Sequence, residues 1–430
     1  IICGVVLSFQ SINAQRISLS LNEALEVALK NNIEIQIAKN QVNSSEFALK
    51  ESKGNFLPKL FLTAGYNRNI DKQVIFLPDG FGLGGSATEL GSDNDYRAAL
   101  NLNISAYSYS NIANKKLSKS ILDLQYEAKR GVQLAIINAV KKTYFNYLII
   151  QEIVNVQQGR LKNAQISVED IYKRFKQGTL TDYDLTSAKV QVANAKNSLL
   201  EAKSNLLPAA NALKLILGLN TSDKLLLTET IALSPEETIT GFTTENLLEN
   251  NSHIKQLELG VQRNEAQINL IKSAYYPTLD IIGNYNYQAQ SDDFKISDYN
   301  WVNTSLVGLQ LQFSIFNGMV TKHKIQQVKI SKDIAETEKA YTKTEYQMQY
   351  QELMSQLEFS KQKVVVQEEN MNLTDEALKL VKKRYNLGVG TFLEVQDAEL
   401  AYTQARLNWL QAIFNYKSAF YDYQLLIGKQ

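Results

Sequence analysis

Hydrophobic residues recur along this chain with two periods, one of two residues and one of seven. In the first, Leu100, Leu102, Ile104 and Ala106 alternate with Asn101, Asn103 and Ser105, which predicts a strand with one apolar and one uncharged polar face. The same alternation sets Val307, Leu309, Leu311, Phe313 and Ile315 against Gly308, Gln310, Gln312 and Ser314. It also sets Leu279, Ile281, Gly283 and Tyr285 against Asp280, Ile282, Asn284 and Asn286. Strands are expected over 57–69, 97–109, 278–288 and 302–316, with tyrosines and Trp301 near their ends. Such strands suit a membrane barrel with a wet interior, and they equally suit a soluble hairpin with one buried face. Four strands cannot close a barrel, which needs at least about eight, so a barrel would require several copies of the chain.

The period of seven governs the end of the chain. With Val395 opening a heptad, the a positions are Val395, Tyr402, Trp409, Tyr416 and Tyr423, and the d positions Ala398, Ala405, Ala412, Ala419 and Leu426. Large and small side chains thus alternate along one coiled-coil seam. The f positions Leu400, Leu407, Phe414 and Tyr421 are apolar too, which gives the helix a second neighbour. Between the seams runs a polar stripe of Glu394, Asp397, Gln404, Asn408, Gln411, Asn415 and Asp422. A helix flanked on both sides and polar between is shaped as the stave of a hollow barrel. An extended soluble coiled coil is the plainer alternative. An earlier segment keeps the register, with Leu185, Val192, Leu199, Leu206 and Leu213 at a and Ala188, Ala195, Ala202, Ala209 and Ile216 at d. Its f positions Val190, Asn197, Ser204 and Asn211 are more polar, so its second seam is looser.

These patterns are written twice. Phe56-Leu57-Pro58-Lys59-Leu60 matches Tyr275-Tyr276-Pro277-Thr278-Leu279, and Arg174-Phe175-Lys176-Gln177-Gly178 matches Arg384-Tyr385-Asn386-Leu387-Gly388. Thr181 then falls on Thr391, Asp184 on Glu394 and Leu217-Gly218 on Ile427-Gly428. Each half reads helix, strand, long loop, strand, long helix, turn, long helix, with Pro58 and Pro277 at helix–strand junctions. We expect repeats at 15–220 and 251–430, joined by 221–250, after a leader remnant at 1–14. The fold class is mainly α with a sector of β-barrel and long coiled-coil helices. About 66 residues from Val320 to Tyr385 lack proline and would rise roughly 100 Å as one helix.

Composition narrows the chemistry. Lys plus Arg at 45 against Asp plus Glu at 44 leaves no basic surplus for nucleic acid. The only cysteine, Cys3, sits in the apolar run Ile1 to Phe9, which reads as the tail of a secretory signal cut near Ala14; a lipid-attachment role for Cys3 is the weaker alternative. Beyond that run no stretch approaches the roughly 18 apolar residues of a spanning helix, so a membrane crossing would have to be a closed β-barrel. Gly80, Gly82 and Gly85 satisfy a nucleotide-binding spacing, but Pro78-Asp79 precedes them and a Gly/Ser-rich run follows where a helix is required. His253 and His323 are isolated from any metal-ligand spacing, and no cofactor or metal is expected.

The segment Arg384-Tyr385-Asn386-Leu387-Gly388-Val389-Gly390-Thr391-Phe392-Leu393-Glu394-Val395-Gln396-Asp397-Ala398 resembles the helical-hairpin tip of TolC-like outer-membrane efflux proteins. Leu21-Asn22-Glu23-Ala24-Leu25-Glu26-Val27-Ala28-Leu29-Lys30-Asn31-Asn32 is similar to that family's opening motif. The resemblance covers nearly the whole mature chain. It implies a homotrimer with a twelve-stranded barrel in the outer membrane of a Gram-negative bacterium and a helical barrel in the periplasm. Its implied partners are a periplasmic adaptor (membrane fusion) protein, an inner-membrane efflux pump or ABC transporter, and outer-membrane lipid.

By the same resemblance Glu394 and Asp397 would form acidic rings at a closed periplasmic entrance, joined by Asp184 of the first-half tip. Some relatives lock the entrance with an arginine where this chain has Gly390, so that lock cannot be assumed. Gly178 and Gly388 fit turns that need backbone freedom, Thr181 and Thr391 can cap the helices that follow, and the tips would be the surface an adaptor grips. The expected function is passive, gated conduction without catalysis. A secreted coiled-coil scaffold with no channel is the alternative.

Overall fold

The computed structural model describes residues 16–76, 87–231 and 249–429. The leader remnant with Cys3, the glycines from Gly80 to Gly85 and most of the connecting segment 221–250 lie outside the described residues. The chain forms two compact units, and neither coincides with a sequence repeat. One takes residues 42–125 and 258–337; the other takes 1–41, 126–257 and 338–430. Each therefore draws on both halves.

The first unit carries the four-stranded sheet. Its sheet is antiparallel, in the order β2 (Lys59–Arg68), β5 (Asn94–Ser108), β7 (Thr278–Ser291), β8 (Val302–Gln312). Register decides what the faces carry. Leu60 pairs with Leu102, Leu102 with Gly283 and Gly283 with Val307, while Leu62 pairs with Leu100 and Leu100 with Tyr285. Because side chains alternate with period two, these rows fall on one face. On the other face Asn101 pairs with Asn284, whose amide donates to the Asn101 carbonyl at 2.7 Å, and Asn103, Asn286 and Gln310 lie in neighbouring rows.

The strand limits differ from expectation for physical reasons. β8 ends at Gln312, opposite Thr278, because the next partner on β7 would be Pro277, which has no amide to donate. Phe313 and Ile315 thus fall outside the strand. A bulge between Ser105 and Tyr107 sets Tyr107 against Leu279 and drops Ala106 from the row it was expected to continue. The long first loop also holds a small hairpin, β3 (Gln73–Phe76) with β4 (Ala87–Leu90). Aromatic rings mark both ends of the sheet. At one end Trp301 stacks on Tyr287 at 4.9 Å and Tyr66 lies 4.9 Å from Tyr96; at the other Tyr109 lies 4.4 Å from Tyr276.

The second unit is helical. It opens with β1 (Arg16–Leu19), which pairs in parallel with β6 (Lys224–Leu227), a contact too short for periodicity to predict. The expected first helix is two, α1 (Leu21–Asn31) and α2 (Ile33–Gly54), broken at Asn32, whose backbone is extended. Three further long helices belong wholly or partly to this unit: α3 (Tyr109–Lys176), α4 (Asp182–Leu217) and α6 (Val320–Asn386). α5 (Ser252–Lys272) begins in it, and α7 (Phe392–Leu426) ends it. The seams behave as the heptads require. Val395, Ala405, Ala412, Tyr416, Ala419, Tyr423 and Leu426 are buried, as are Leu185, Ala188, Ala195, Leu199, Ala202, Ala209 and Leu213. Asp397, Gln404, Asn408, Gln411 and Asn415 are exposed. The main core gathers Ala28, Val140, Tyr144, Leu213, Leu217, Leu357, Ile413 and Leu426 near the ends of α4 and α7.

Candidate functional site

At their other ends the long helices form two hairpins. The turn between α3 and α4 places Gly178 at φ 75, and that between α6 and α7 places Gly388 at φ 78, a region that favours glycine. In the first, Thr179 N–H donates to the Arg174 carbonyl at 3.0 Å and Gly178 N–H to that of Phe175 at 2.9 Å. The second repeats the pair, from Val389 to Arg384 at 3.1 Å and from Gly388 to Tyr385 at 3.0 Å. These two bonds stop the helix by the Schellman arrangement and satisfy its last carbonyls.

Each returning helix starts with a reciprocal cap. Thr181 Oγ1 accepts from the Asp184 N–H, while the Asp184 carboxylate accepts from the Thr181 N–H at 2.9 Å and hydroxyl at 2.7 Å. Thr391 and Glu394 exchange the same backbone–side-chain bonds, both at 3.2 Å. The hydroxyl and amide of Thr181 hold the Asp184 carboxyl below the ordinary carboxylate range. Two of the three acidic candidates are thus engaged locally as caps. Asp397, one turn further in, is exposed. Gly390 sits close to its own hairpin: a Cβ there would come 3.1 Å from the Tyr385 nitrogen and 3.2 Å from a Glu394 carboxylate oxygen. A larger side chain at 390 would press on the cap. Pro58 and Pro277 directly precede β2 and β7.

The hairpins pack on one another through Ile171, Leu185, Ala188 and Phe392, with Phe175, Leu180 and Tyr385 alongside. Arg174 reaches across from α3, its guanidinium 4.8 Å from the Tyr385 ring and its Nε 2.9 Å from Asp170. Burial pushes the Tyr385 phenol up, Asp170 and Asp184 push the same way, and Arg174 opposes them. Lys382 and Glu399 add an ion pair at 2.6 Å between α6 and α7. Sequence reasoning gave Arg174 no role beyond marking the repeat, because only folding brings it to the ring of the other hairpin. Beside them a groove of about 340 Å³ is lined by Ile166, Asp170, Lys382, Tyr385, Phe392 and Glu399.

A family model described as "Outer membrane efflux protein" matches residues 24–219 and 243–429, one segment for each half. The solvent efflux pump outer membrane protein SrpC of Pseudomonas putida is 24% identical over 399 residues, covering 90% of this chain and 81% of that protein. Among solved structures, the Campylobacter jejuni CmeC outer membrane channel superposes with a TM-score of 0.78 at 19% identity, covering 95% of this chain and 85% of CmeC. A membrane protein from Pseudomonas aeruginosa gives 0.76 at 18% identity, covering 97% and 92%.

Proposed function

The chain belongs to the outer membrane efflux protein family, and from that premise we propose that it is the outer-membrane channel of a tripartite efflux or secretion system. The observation that carries the reading is the sheet. Its apolar row is uncovered, with Leu62 at 75% and Leu309 at 73% exposure, while the opposite face centres on the paired amides of Asn101 and Asn284, with Phe61 and Leu306 beside them toward the edges. A soluble hairpin would bury that row. The spacing of the aromatic ends also fits a bilayer: the eleven residue steps from Tyr276 to Tyr287 rise about 36 Å along a strand, or roughly 28 Å at a 40° tilt. Among the described residues β2 and β8 are edges with no further strand beside them, so a barrel needs other copies. Three copies of a four-stranded sheet exceed the roughly eight strands a small barrel requires.

In this reading the sheet unit lies in the outer membrane of a Gram-negative bacterium and the helical unit extends into the periplasm. The polar stripes of α4 and α7 face the water-filled bore. The hairpin tips are the gate and the surface for a periplasmic adaptor, with Glu394 and Asp397 ringing the entrance and Asp184 beside them. An inner-membrane pump supplies the driving force, and this chain catalyses no reaction. Three copies bring the acidic pairs near one another, which attracts cations. The test is reconstitution of the detergent-extracted particle in planar bilayers. A trimer that conducts supports the channel; a monomer that stays in solution without detergent would mean a non-channel scaffold.

A further inference from the structure

The end of each half opposite its tip is closed by a buried asparagine. Asn32 donates from its side-chain amide to the Ile216 carbonyl at 2.9 Å, and its carbonyl accepts the Glu34 N–H at 2.9 Å and the Ile35 N–H at 3.3 Å. Asn251 repeats this in the second half, donating to the Leu426 carbonyl at 2.8 Å and accepting the Ile254 N–H at 3.0 Å. One side chain thus caps the start of a helix in the first part of each half and ties up a last-turn carbonyl of that half's final helix. Both asparagines are 5% exposed.

A glycine makes each approach possible. Gly218 and Gly428 follow α4 and α7 at φ 67 and φ 68, where their N–H groups turn back onto the helix end. A Cβ on Gly218 would lie 2.7 Å from the Asn31 carbonyl oxygen, and one on Gly428 only 2.1 Å from that of Asn250. The backbones therefore touch where only glycine fits, in both copies.

Burial separates these clasps from the tips. The clasps adjoin the main core through Ala28, Ile35, Leu217, Leu426 and Ile427, and breaking them would strand buried polar groups. The tips rest on a four-residue cluster and exposed caps, with Leu387, Val389 and Leu393 each more than 60% exposed. Local opening is drawn from the less buried end of a structure. We propose that Asn32–Gly218 and Asn251–Gly428 form paired pivots that stay shut while the hairpins of α3–α4 and α6–α7 swing. The inference rests on the channel reading for the swing it serves.

Hydrogen exchange on the detergent-purified protein tests it. An Arg174→Ala, Tyr385→Ala double variant loosens the tips, and amides over 170–186 and 380–396 should exchange about tenfold faster or more. The amides of Glu34, Ile35 and Ile254 should stay within about twofold of the unaltered protein. Clasp amides that speed up in step with the tips would overturn the proposal. As a second measurement, Asn251→Ala should lower the thermal midpoint and raise exchange at the tips; a variant that changes neither would also overturn it. Bilayer conductance of the same sample reads the channel separately, since exchange does not depend on conduction.

Discussion

Arg174 and Tyr385 come from different halves of the chain, yet the guanidinium of one lies 4.8 Å from the ring of the other. Asp170 holds the arginine in place from one turn earlier on α3. An exposed cation–π contact is worth about 0.5–1 kcal/mol and an exposed ion pair about 0.2–1 kcal/mol, so the link amounts to roughly 1 kcal/mol per protomer. That is about a fivefold bias toward packed hairpins. Arg174→Ala should raise spontaneous open probability in single-channel recordings by about that factor, and Arg174→Lys should restore only part of it because an ammonium cannot stack as a plane. An open probability unmoved by either change would remove Arg174 as a latch.

Charge and capping can be separated at the proposed entrance. Glutamine serves the N3 position of a capping box nearly as well as glutamate, so Glu394→Gln keeps the bond to Thr391 and removes only the charge. Asp397 makes no cap. Glu394→Gln with Asp397→Asn should shift the reversal potential in a salt gradient toward zero and weaken block by a trivalent cation. Helix content should stay the same. Unchanged selectivity would leave these carboxylates with a capping role alone.

Asp184 gives a pH test with a definite sign. Hydrogen bonds from Thr181 lower its pKa in the folded protein. A group depressed in this way contributes stability above its unfolded value of about 3.9, and that contribution is lost as pH falls through the lower folded value. Amides at the start of α4 should therefore be protected near neutrality and fray in strong acid. Thr181→Ala should cost about 1 kcal/mol at neutral pH by removing the cap. The difference between Thr181→Ala and the unaltered protein should shrink below about pH 4. A difference independent of pH would show that the Asp184 charge plays no part in the cap.

Much of this fold was legible because periodicity and repetition are local. The strand faces followed from alternation at Leu100–Ile104 and Val307–Leu311, and the seams from alanines at d. Three features were not. The break at Asn32 was hidden inside a continuous helical pattern, since its cause is a long-range bond to Ile216. The early end of β8 depends on which residue stands opposite, and no single strand carries that information. Glu394 was read for its charge at the entrance, and the structure shows the same carboxylate completing the Thr391 cap. Asp184 likewise completes the Thr181 cap, whereas Asp397 is exposed and takes no part in one.

The two faces of β8 offer the sharpest contrast between lipid and water. Leu309 and Gln310 are neighbours, both exposed in the lone chain, and they point to opposite sides of the sheet. If the apolar row meets hydrocarbon, Leu309→Arg places a charge in lipid and costs about 2–4 kcal/mol near the midplane, falling toward the interfaces. Gln310→Arg places the same charge in the aqueous bore. The first should sharply reduce heat-resistant trimer recovered from outer membranes. The second should leave trimer yield intact and reduce cation conductance. Equal tolerance of both substitutions would mean that neither face is covered by lipid, and the barrel would have to be abandoned.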